Sequence, residues 1–137
     1  MAKTNGEIKG ETNMSSAIGR KRERYIEAMQ LLLKKNVIRY VGNDKHIKII
    51  FSKSGIDHVA EDIVKKKLKI STKEASGLDH LLREATYMRS CRPYKDRNDH
   101  IKHFYYFNDK NKDLRYVIAE EVFKGHHRIF LYSLQKG

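Results

Sequence analysis

Histidine, arginine, lysine, tyrosine and serine side chains occur in this sequence in a combination suited to breaking a phosphodiester bond. Cleavage of RNA by its own 2′-hydroxyl needs a base for that hydroxyl, an acid for the 5′-oxygen, and donors or cations for the charge that develops on phosphorus. Histidine suits the first two roles because its pKa lies near neutrality. The residues of the chain that could fill these roles are His58, Lys102, His103, Arg115, Arg128, Tyr132 and Ser133.

Other kinds of catalytic site lack their characteristic sequence patterns. There is no HExxH, paired-cysteine or EF-hand pattern, and no GxxxxGK[ST] or GxGxxG phosphate loop. His100 and His103 would fall on opposite faces of a strand, and Cys91 lacks the sequence signature of a catalytic nucleophile. We therefore expect no metal ion, no cofactor and no covalent nucleophile.

The formal net charge of +12, from 29 Lys and Arg against 17 Asp and Glu, favours an anionic partner. Nucleic acid is the first candidate, before an anionic membrane or an acidic protein.

No apolar run approaches the roughly 20 residues of a membrane-spanning helix, and residues 1–6 lack a signal-peptide apolar region. With a single cysteine there is no internal disulfide, so we expect a cytoplasmic, reducing site of action.

Most of the candidate residues fall in the last third of the chain, which is expected to form a sheet. Runs rich in β-branched and aromatic residues, separated by short polar loops, predict an antiparallel meander. An earlier pair of runs predicts a β-hairpin around a turn at Gly42-Asn43-Asp44. The runs of the meander are 100–107, 114–123 and 128–134, and those of the hairpin are 37–41 and 46–51.

Helices are predicted at three places. Residues 15–36 carry one apolar stripe at helical spacing. A second helix is expected from a capping-box pattern at Ser54, with His58 on its polar side. A third is expected over 77–88, followed by a polar connector at 90–99 that leads back to the sheet.

The order helix, two strands, two helices, three strands predicts an α+β fold. The N-terminal helix and the two further helices would pack on one face of an antiparallel sheet of about five strands. We expect residues 1–14 to form a flexible polar leader and residues 15–137 to form a single α+β domain. Its N-terminal helix would occupy 15–36 and its core 37–137.

Four segments between about Ile47 and the last strand follow one another in a recognisable order. A strand leads into a helix that begins S-x-x-x-H-[IV], and then come a second helical segment, an aromatic strand bearing His or Lys, and an apolar strand with Ser or Thr. They are Phe51-Ser52-Lys53-Ser54-Gly55-Ile56-Asp57-His58-Val59, Asp79-His80-Leu81-Leu82, His100-Ile101-Lys102-His103-Phe104-Tyr105-Tyr106-Phe107 and Arg128-Ile129-Phe130-Leu131-Tyr132-Ser133. This order resembles the phage and polymorphic-toxin branch of the barnase–EndoU–colicin–RelE-like (BECR) ribonucleases.

The resemblance implies a barnase- or RelE-like fold and metal-independent cleavage of RNA by general acid–base catalysis. The residues it implies for catalysis are His58, His103, Arg115, Tyr132 and Ser133. The cations assigned to RNA binding are Lys53, Arg92, Lys102, Lys124 and Arg128. It also implies a toxin or effector, phage-encoded or delivered, that acts on RNA such as tRNA and is inhibited by an acidic immunity or antitoxin protein. The sequence departs from the pattern in having no second histidine closely after His58 and no threonine in the last strand.

Two other functions would use the same residues. A nucleic-acid-binding module would contact phosphates and stack bases without cutting RNA. A protein-interaction domain would bind an acidic partner by charge complementarity. Glu120 and Glu121 oppose an RNA-binding face, because a carboxylate there repels phosphate unless it acts as a base or orients a cation.

Overall fold

The central feature of the structure, a computed structural model that describes residues 17–42, 44–93 and 100–137, is a sheet of six strands in the order β1-β2-β6-β5-β4-β3. The strands are β1 (Asn36–Tyr40), β2 (His46–Ile50), β3 (Thr86–Cys91), β4 (Ile101–Asp109), β5 (Leu114–Phe123) and β6 (His126–Lys136). The predicted leader at 1–14, the start of the first predicted helix, Asn43 and residues 94–99 of the predicted connector lie outside the described residues.

Helices flank the sheet. They are α1 (residues 17–28), a 3-10 helix (Gln30–Lys34), α2 (Lys53–Lys65), α3 (Thr72–Ser76) and α4 (Leu78–Glu84). The helix predicted over 15–36 thus changes to 3-10 geometry in its last part. α2 begins earlier than predicted, because the Oγ of Ser52 rather than Ser54 caps it and accepts a hydrogen bond from the N–H of Gly55 at 3.0 Å. None of the described helices has the length and apolar character needed to cross a bilayer.

The predicted α+β fold is confirmed, with a sixth strand and one parallel pairing that were not predicted. Residues 86–91, predicted to end a helix and begin a connector, form β3 along β4. Ala85 already has extended backbone angles (φ −66°, ψ 153°), and the ring of Tyr87 packs 5.5 Å from that of Phe107. Pairing with β4 and the partial burial of Tyr87 therefore override the helical spacing of the sequence.

The parallel pairing joins β2 to β6 at Ile50 and Phe130, after which α2 runs beside β6 in place of a strand. Polar side chains at every fourth position of α2 bond to β6 where a strand would have supplied backbone groups. His58 Nδ1 lies 2.5 Å from the carbonyl oxygen of Tyr132. Asp62 Oδ2 accepts hydrogen bonds from Ser133 Oγ at 2.7 Å and from the N–H of Leu134 at 3.0 Å. Lys66 Nζ donates to the carbonyl oxygen of Leu134 at 3.0 Å.

The core lies mainly between the helices and one face of the sheet. Its largest fully buried side chains include Tyr116, Phe107, Met29 and Leu32. A smaller apolar cluster lies on the other face, built from Ile101, Phe104, Val117, Ala119 and Phe130 with Tyr106 and Tyr132 partly buried against it. That second face is therefore partly covered, and it offers less exposed aromatic surface than the sequence predicts.

The short helix α3 is anchored through Glu74. Oε1 of Glu74 accepts a hydrogen bond from the N–H of Ser71 at 2.9 Å, and Ser71 Oγ accepts one from the N–H of Glu74 at 3.1 Å, which completes a capping box. Oε2 pairs with Lys112 from the turn between β4 and β5. The hydrogen bond from Lys112, followed by that from Ser71, lowers the pKa of Glu74 to about 2.

Replacing Glu74 with glutamine should lower the free energy of unfolding by about 0.5–1 kcal/mol at pH 7, a modest value because this carboxylate is partly solvated. The pKa is lower in the folded chain than the usual 4.5, so the stabilisation is fully present above about pH 4.5 and is lost as pH falls towards 2. Urea unfolding of both proteins should therefore show a difference that narrows between pH 5 and pH 3. A difference that is constant with pH would contradict this assignment.

Candidate active-site cleft

A cleft opens in the sheet between β2 and β6. Among the described residues these strands pair at Ile50 and Phe130, so no hydrogen-bonded ladder closes the space beside their earlier residues. The cleft has a volume of about 430 Å³ and is lined by His46, Ile47, Lys48, Ile50, His127, Arg128 and Ile129. This lining holds two histidines, a lysine and an arginine and no carboxylate, so it attracts a phosphate group.

The imidazole of His127 is held by Glu120, with His127 Nε2 2.7 Å from Glu120 Oε2. In the β5–β6 hairpin Glu120 pairs with Ile129, and His127 pairs with Val122. The two side chains are thus diagonal neighbours on one face, a separation that long side chains can bridge. The turn Lys124-Gly125 sets this register, and both residues have positive φ (47° and 81°), as in a type I′ turn.

The second carboxylate oxygen of Glu120 is also engaged. The Tyr105 hydroxyl donates to Oε1 at 2.6 Å, Lys45 Nζ donates to that hydroxyl at 3.3 Å, and His103 Nδ1 lies 3.7 Å from Oε1. Burial raises the pKa of Glu120. The hydrogen bonds from Tyr105 and His127 and the nearby positive charges outweigh burial, so this pKa lies below its usual value. The carboxylate is therefore ionised at neutral pH.

The ionised carboxylate determines which nitrogen of His127 can act as a base. An ionised carboxylate only accepts hydrogen bonds, so Nε2 of a neutral His127 carries the proton towards Glu120. Nδ1 is then the acceptor and can take a proton from a substrate hydroxyl. Burial and the bond to Glu120 raise the pKa of Tyr105, so this phenol remains a donor. The side chain of His127 is 54% exposed, which leaves its ring accessible.

Arg128 is held at the edge of the cleft by two contacts. Its Nε donates to Glu121 Oε1 at 2.7 Å, and its guanidinium carbon lies 4.1 Å from the centre of the Phe130 ring. A guanidinium has five N–H donors, of which the bond to Glu121 uses the one on Nε. The orientation of Arg128 is thus set before a ligand arrives, which suits planar recognition of a phosphate.

These side chains together contain the parts that acid–base cleavage of a phosphodiester needs. His127 is a base oriented by a carboxylate on the face of Glu120. His46, Lys48 and Arg128 line the same opening from the opposite face. Arg128 follows His127 on β6 and packs on Phe130, and His46 and Lys48 lie on the side of β2 that carries Ile50. The opening between the two strands is therefore lined by a base from one face and by a second imidazole and two cations from the other. In the described part of the chain, no three His, Cys, Asp or Glu side chains are grouped in a way that could hold a metal ion.

Three of the residues predicted to be catalytic lie where α2 meets β6. The ring of His58 packs 5.1 Å from that of Tyr132, and its Nδ1 bonds to the Tyr132 carbonyl. Ser133 is 4% exposed, and its hydroxyl donates to the buried carboxylate of Asp62. Nδ1 of His58 and the hydroxyl of Ser133 therefore hold α2 against β6.

The structure does not bring His58 and His103 to one face of the sheet. Tyr132, which contacts His58, packs 5.6 Å from the ring of Phe104. Phe104 follows His103 on β4, and successive strand residues point to opposite faces. His103 therefore lies on the face of Glu120, whereas His58 lies beside the smaller apolar cluster.

The remaining predicted residues are dispersed. Arg115 lies on β5 with its Nε 3.4 Å from Asn108 Oδ1, and Arg128 lines the cleft. The other cations predicted to bind RNA are exposed at separate places: Lys53 at the start of α2, Arg92 after β3, Lys102 on β4 and Lys124 in the turn before β6. The sequence therefore identified one residue of the cleft lining and one neighbour of Glu120, namely Arg128 and His103.

The pairing of His127 with Glu120 was not predicted, because His127 falls between the predicted strands 114–123 and 128–134 rather than within either of them. A signal was present. Lys124-Gly125 is a two-residue hairpin turn between apolar runs, and such a turn brings His127 diagonally opposite Glu120. His46 and Lys48, on the exposed side of a predicted strand, carried no comparable signal.

A family model described as large polyvalent protein-associated domain 3 matches residues 20–126, which extend from α1 to the first residue of β6. This description associates the matched domain with large polyvalent proteins, a setting compatible with an effector domain. It names no chemical activity. No curated protein and no solved structure gives a significant match.

Proposed function

We propose that this chain, which belongs to the large polyvalent protein-associated domain 3 family, is an effector domain that cleaves RNA by acid–base chemistry without a metal ion. One observation carries the proposal: an imidazole bound by an ionised carboxylate, His127 with Glu120, lies at the edge of a cleft lined by further cations. A general base of this kind is positioned by its partner before substrate binds, as in hydrolases that pair histidine with a carboxylate.

The proposed reaction assigns a role to each polar residue of the cleft lining. Nδ1 of His127 takes the proton of a ribose 2′-hydroxyl, whose oxygen attacks the adjacent phosphorus. The bond to the 5′-oxygen breaks, and that oxygen receives a proton from His46. Lys48 and Arg128 stabilise the negative charge on the phosphate during transfer. The products are a 2′,3′-cyclic phosphate and a 5′-hydroxyl, so atoms and charge balance without water or a metal ion.

The likeness to BECR ribonucleases remains part of this proposal, but with different residues at the reaction centre. His103 supports Glu120 rather than touching the phosphate, since its Nδ1 lies 3.7 Å from Oε1. His58 and Ser133 serve the docking of α2. An acidic immunity-type protein would cover the cleft by charge complementarity, and RNA such as tRNA would be its competitor.

The rival proposal is binding of nucleic acid without cleavage. The cations of the cleft favour phosphate contacts under both proposals. Base stacking on the second face of the sheet is less favoured, because Phe104 and Phe130 are only 6% and 4% exposed. Guanidinium groups also lie over aromatic rings there, Arg128 over Phe130 and Arg89 over Tyr106.

The chemistry of the products tests the proposal. The purified 137-residue chain is incubated in EDTA with tRNA and with total RNA, and the 3′ ends of the fragments are analysed by mass spectrometry. We expect 2′,3′-cyclic phosphates, and we expect DNA of matched sequence to stay intact because it has no 2′-hydroxyl.

Two results would overturn the proposal in different ways. Cleavage of DNA, or RNA fragments that end in a 3′-hydroxyl and begin with a 5′-phosphate, would exclude attack by the 2′-hydroxyl. Intact RNA combined with binding that weakens steeply as salt rises would instead establish the rival binding function.

A further inference from the structure

A second cationic cavity lies at the far end of β6 from the cleft. It has a volume of about 290 Å³ and is lined by Lys66, Lys67, Leu68, Lys69, Asn111, Lys112, Asp113, Leu114 and Lys136. Arg128 in the cleft and Lys136 in the cavity are separated by about 27 Å along the strand, at about 3.4 Å per residue. The two sites are therefore distinct.

The charges around this cavity are unbalanced. Lys66 is paired with Asp62 at 3.1 Å and Lys112 with Glu74. The remaining lysines of the lining are exposed and form no ion pair within the described part of the chain: Lys67, Lys69 and Lys136. Asp113 is the one carboxylate of the lining, so these amines repel one another unless an anion is bound between them.

Lys67 occupies a backbone position that favours glycine. It follows the C-cap of α2 with φ of 52°, and the N–H of Leu68 donates to the carbonyl of Ile63 at 3.0 Å. This is the Schellman arrangement, in which the residue in the left-handed conformation is usually glycine because a Cβ is unfavourable there. The sequence thus carries a lysine where backbone geometry favours glycine.

From this charge, this geometry and the size of the cavity we propose that it binds a compact anion that carries several phosphate groups. Lysine amines bind phosphate as point charges from many directions, and buried Leu68 and Leu114 form an apolar floor. The volume lies at the small end of ligand sites, which suits a polyphosphate group better than an extended nucleic-acid strand. This site does not depend on the proposed RNA cleavage, because none of the cleft residues lines it.

The test measures binding of inorganic triphosphate to the full chain by calorimetry at about 0.15 M salt, a screening condition that suppresses distant charges. We expect one site per chain and about tenfold or greater loss of affinity in Lys69→Gln/Lys136→Gln. The matched control, Lys21→Gln/Lys34→Gln, makes the same change in net charge at exposed positions outside the cavity and should bind as the wild type does. Equal affinities of the two double variants, or no triphosphate binding at all, would overturn the proposal.

Lys67→Gly separates binding from folding. Glycine relieves the unfavourable backbone conformation, so we expect Tm without ligand to rise by about 3–5 °C. The affinity for triphosphate should nevertheless fall several-fold, because one amine is lost. A variant that is more stable yet binds less tightly cannot owe the loss to misfolding, whereas unchanged affinity would remove Lys67 from the site.

The source of the phosphate groups is identified by competition against triphosphate. An RNA oligonucleotide with a 5′-triphosphate and one of the same sequence with a 5′-hydroxyl are compared. Competition by the first alone supports the site as one for RNA ends. Competition by neither supports a free polyphosphate compound. If both oligonucleotides compete, and the Lys69→Gln/Lys136→Gln variant weakens the binding of both equally, the site binds the RNA backbone. That result would overturn the proposal of a compact ligand.

Discussion

RNA cleavage should fall by about 10²–10⁴-fold when His127 is replaced with alanine, because removing a positioned general base typically has an effect of this size. Replacing Glu120 with glutamine should lower the rate by about 10²-fold or more, because the imidazole then loses the ionised acceptor that sets its tautomer. Initial rates on one defined RNA measure both effects. Circular dichroism and Tm show whether each variant is folded.

The neighbouring histidine supplies the control for this prediction. His126 precedes His127 on β6, pairs with Phe123 and is not among the residues that line the cleft. It shares the face of Arg128, so its ring does not point towards Glu120. His126→Ala should therefore keep the wild-type rate. If His58→Ala abolishes cleavage in a folded protein while His127→Ala leaves it unchanged, the active site lies at the junction of α2 and β6, as the resemblance implied, and the cleft is not catalytic.

Gly55→Ala should lower the free energy of unfolding by about 2–3 kcal/mol, the largest stability effect that we expect from adding one methyl group. A Cβ at Gly55 would lie only 2.3 Å from the carbonyl oxygen of Leu131 and 3.3 Å from the Phe130 ring. Backbone atoms of a strand cannot move aside cheaply, so α2 would have to shift from β6. The shift would also strain the bonds that join α2 to Tyr132 and Leu134.

Gly19→Ala is the matched control, because Gly19 is also helical but a Cβ added there would have no neighbouring atom within 4 Å. Alanine has the higher helix propensity, so this variant should gain up to about 1 kcal/mol. Urea unfolding monitored by circular dichroism gives both values. Equal stability of the two variants would mean that α2 does not approach β6 as closely as the structure indicates.

Local patterns were sufficient for most of the secondary structure. The alternation in His46–Ile50 and the aromatic runs of β4, β5 and β6 predicted strands that are present, because alternating burial is a local property of a strand. Thr86–Cys91 could not be predicted in the same way. Its strand conformation depends on pairing with β4, and the apolar spacing of 77–88 fits a helix equally well.

The candidate site was harder to predict than the fold, because the position of a histidine in the sequence does not show which group its ring will bond to. His58 matched a motif and lies in α2, yet its Nδ1 bonds to the backbone of β6. His127 matched no motif, yet it is bound to Glu120 at 2.7 Å. The register of one hairpin decides this difference, and a shift by one residue would turn His127 to the other face.

The sequence by itself determined the α+β class, the excess of positive charge and the supply of side chains able to transfer protons and bind phosphate. These follow from composition and from periodicities that extend over a few residues. Only the tertiary structure decided which of those side chains meet. The divergence of β2 from β6 creates the cleft, and hairpin register brings Glu120 to His127. Packing at the C-terminal end of α2 brings the lysines of three chain segments into one cavity. None of these contacts could be predicted from the sequence, because contacts between elements far apart in the chain depend on packing rather than on any local pattern.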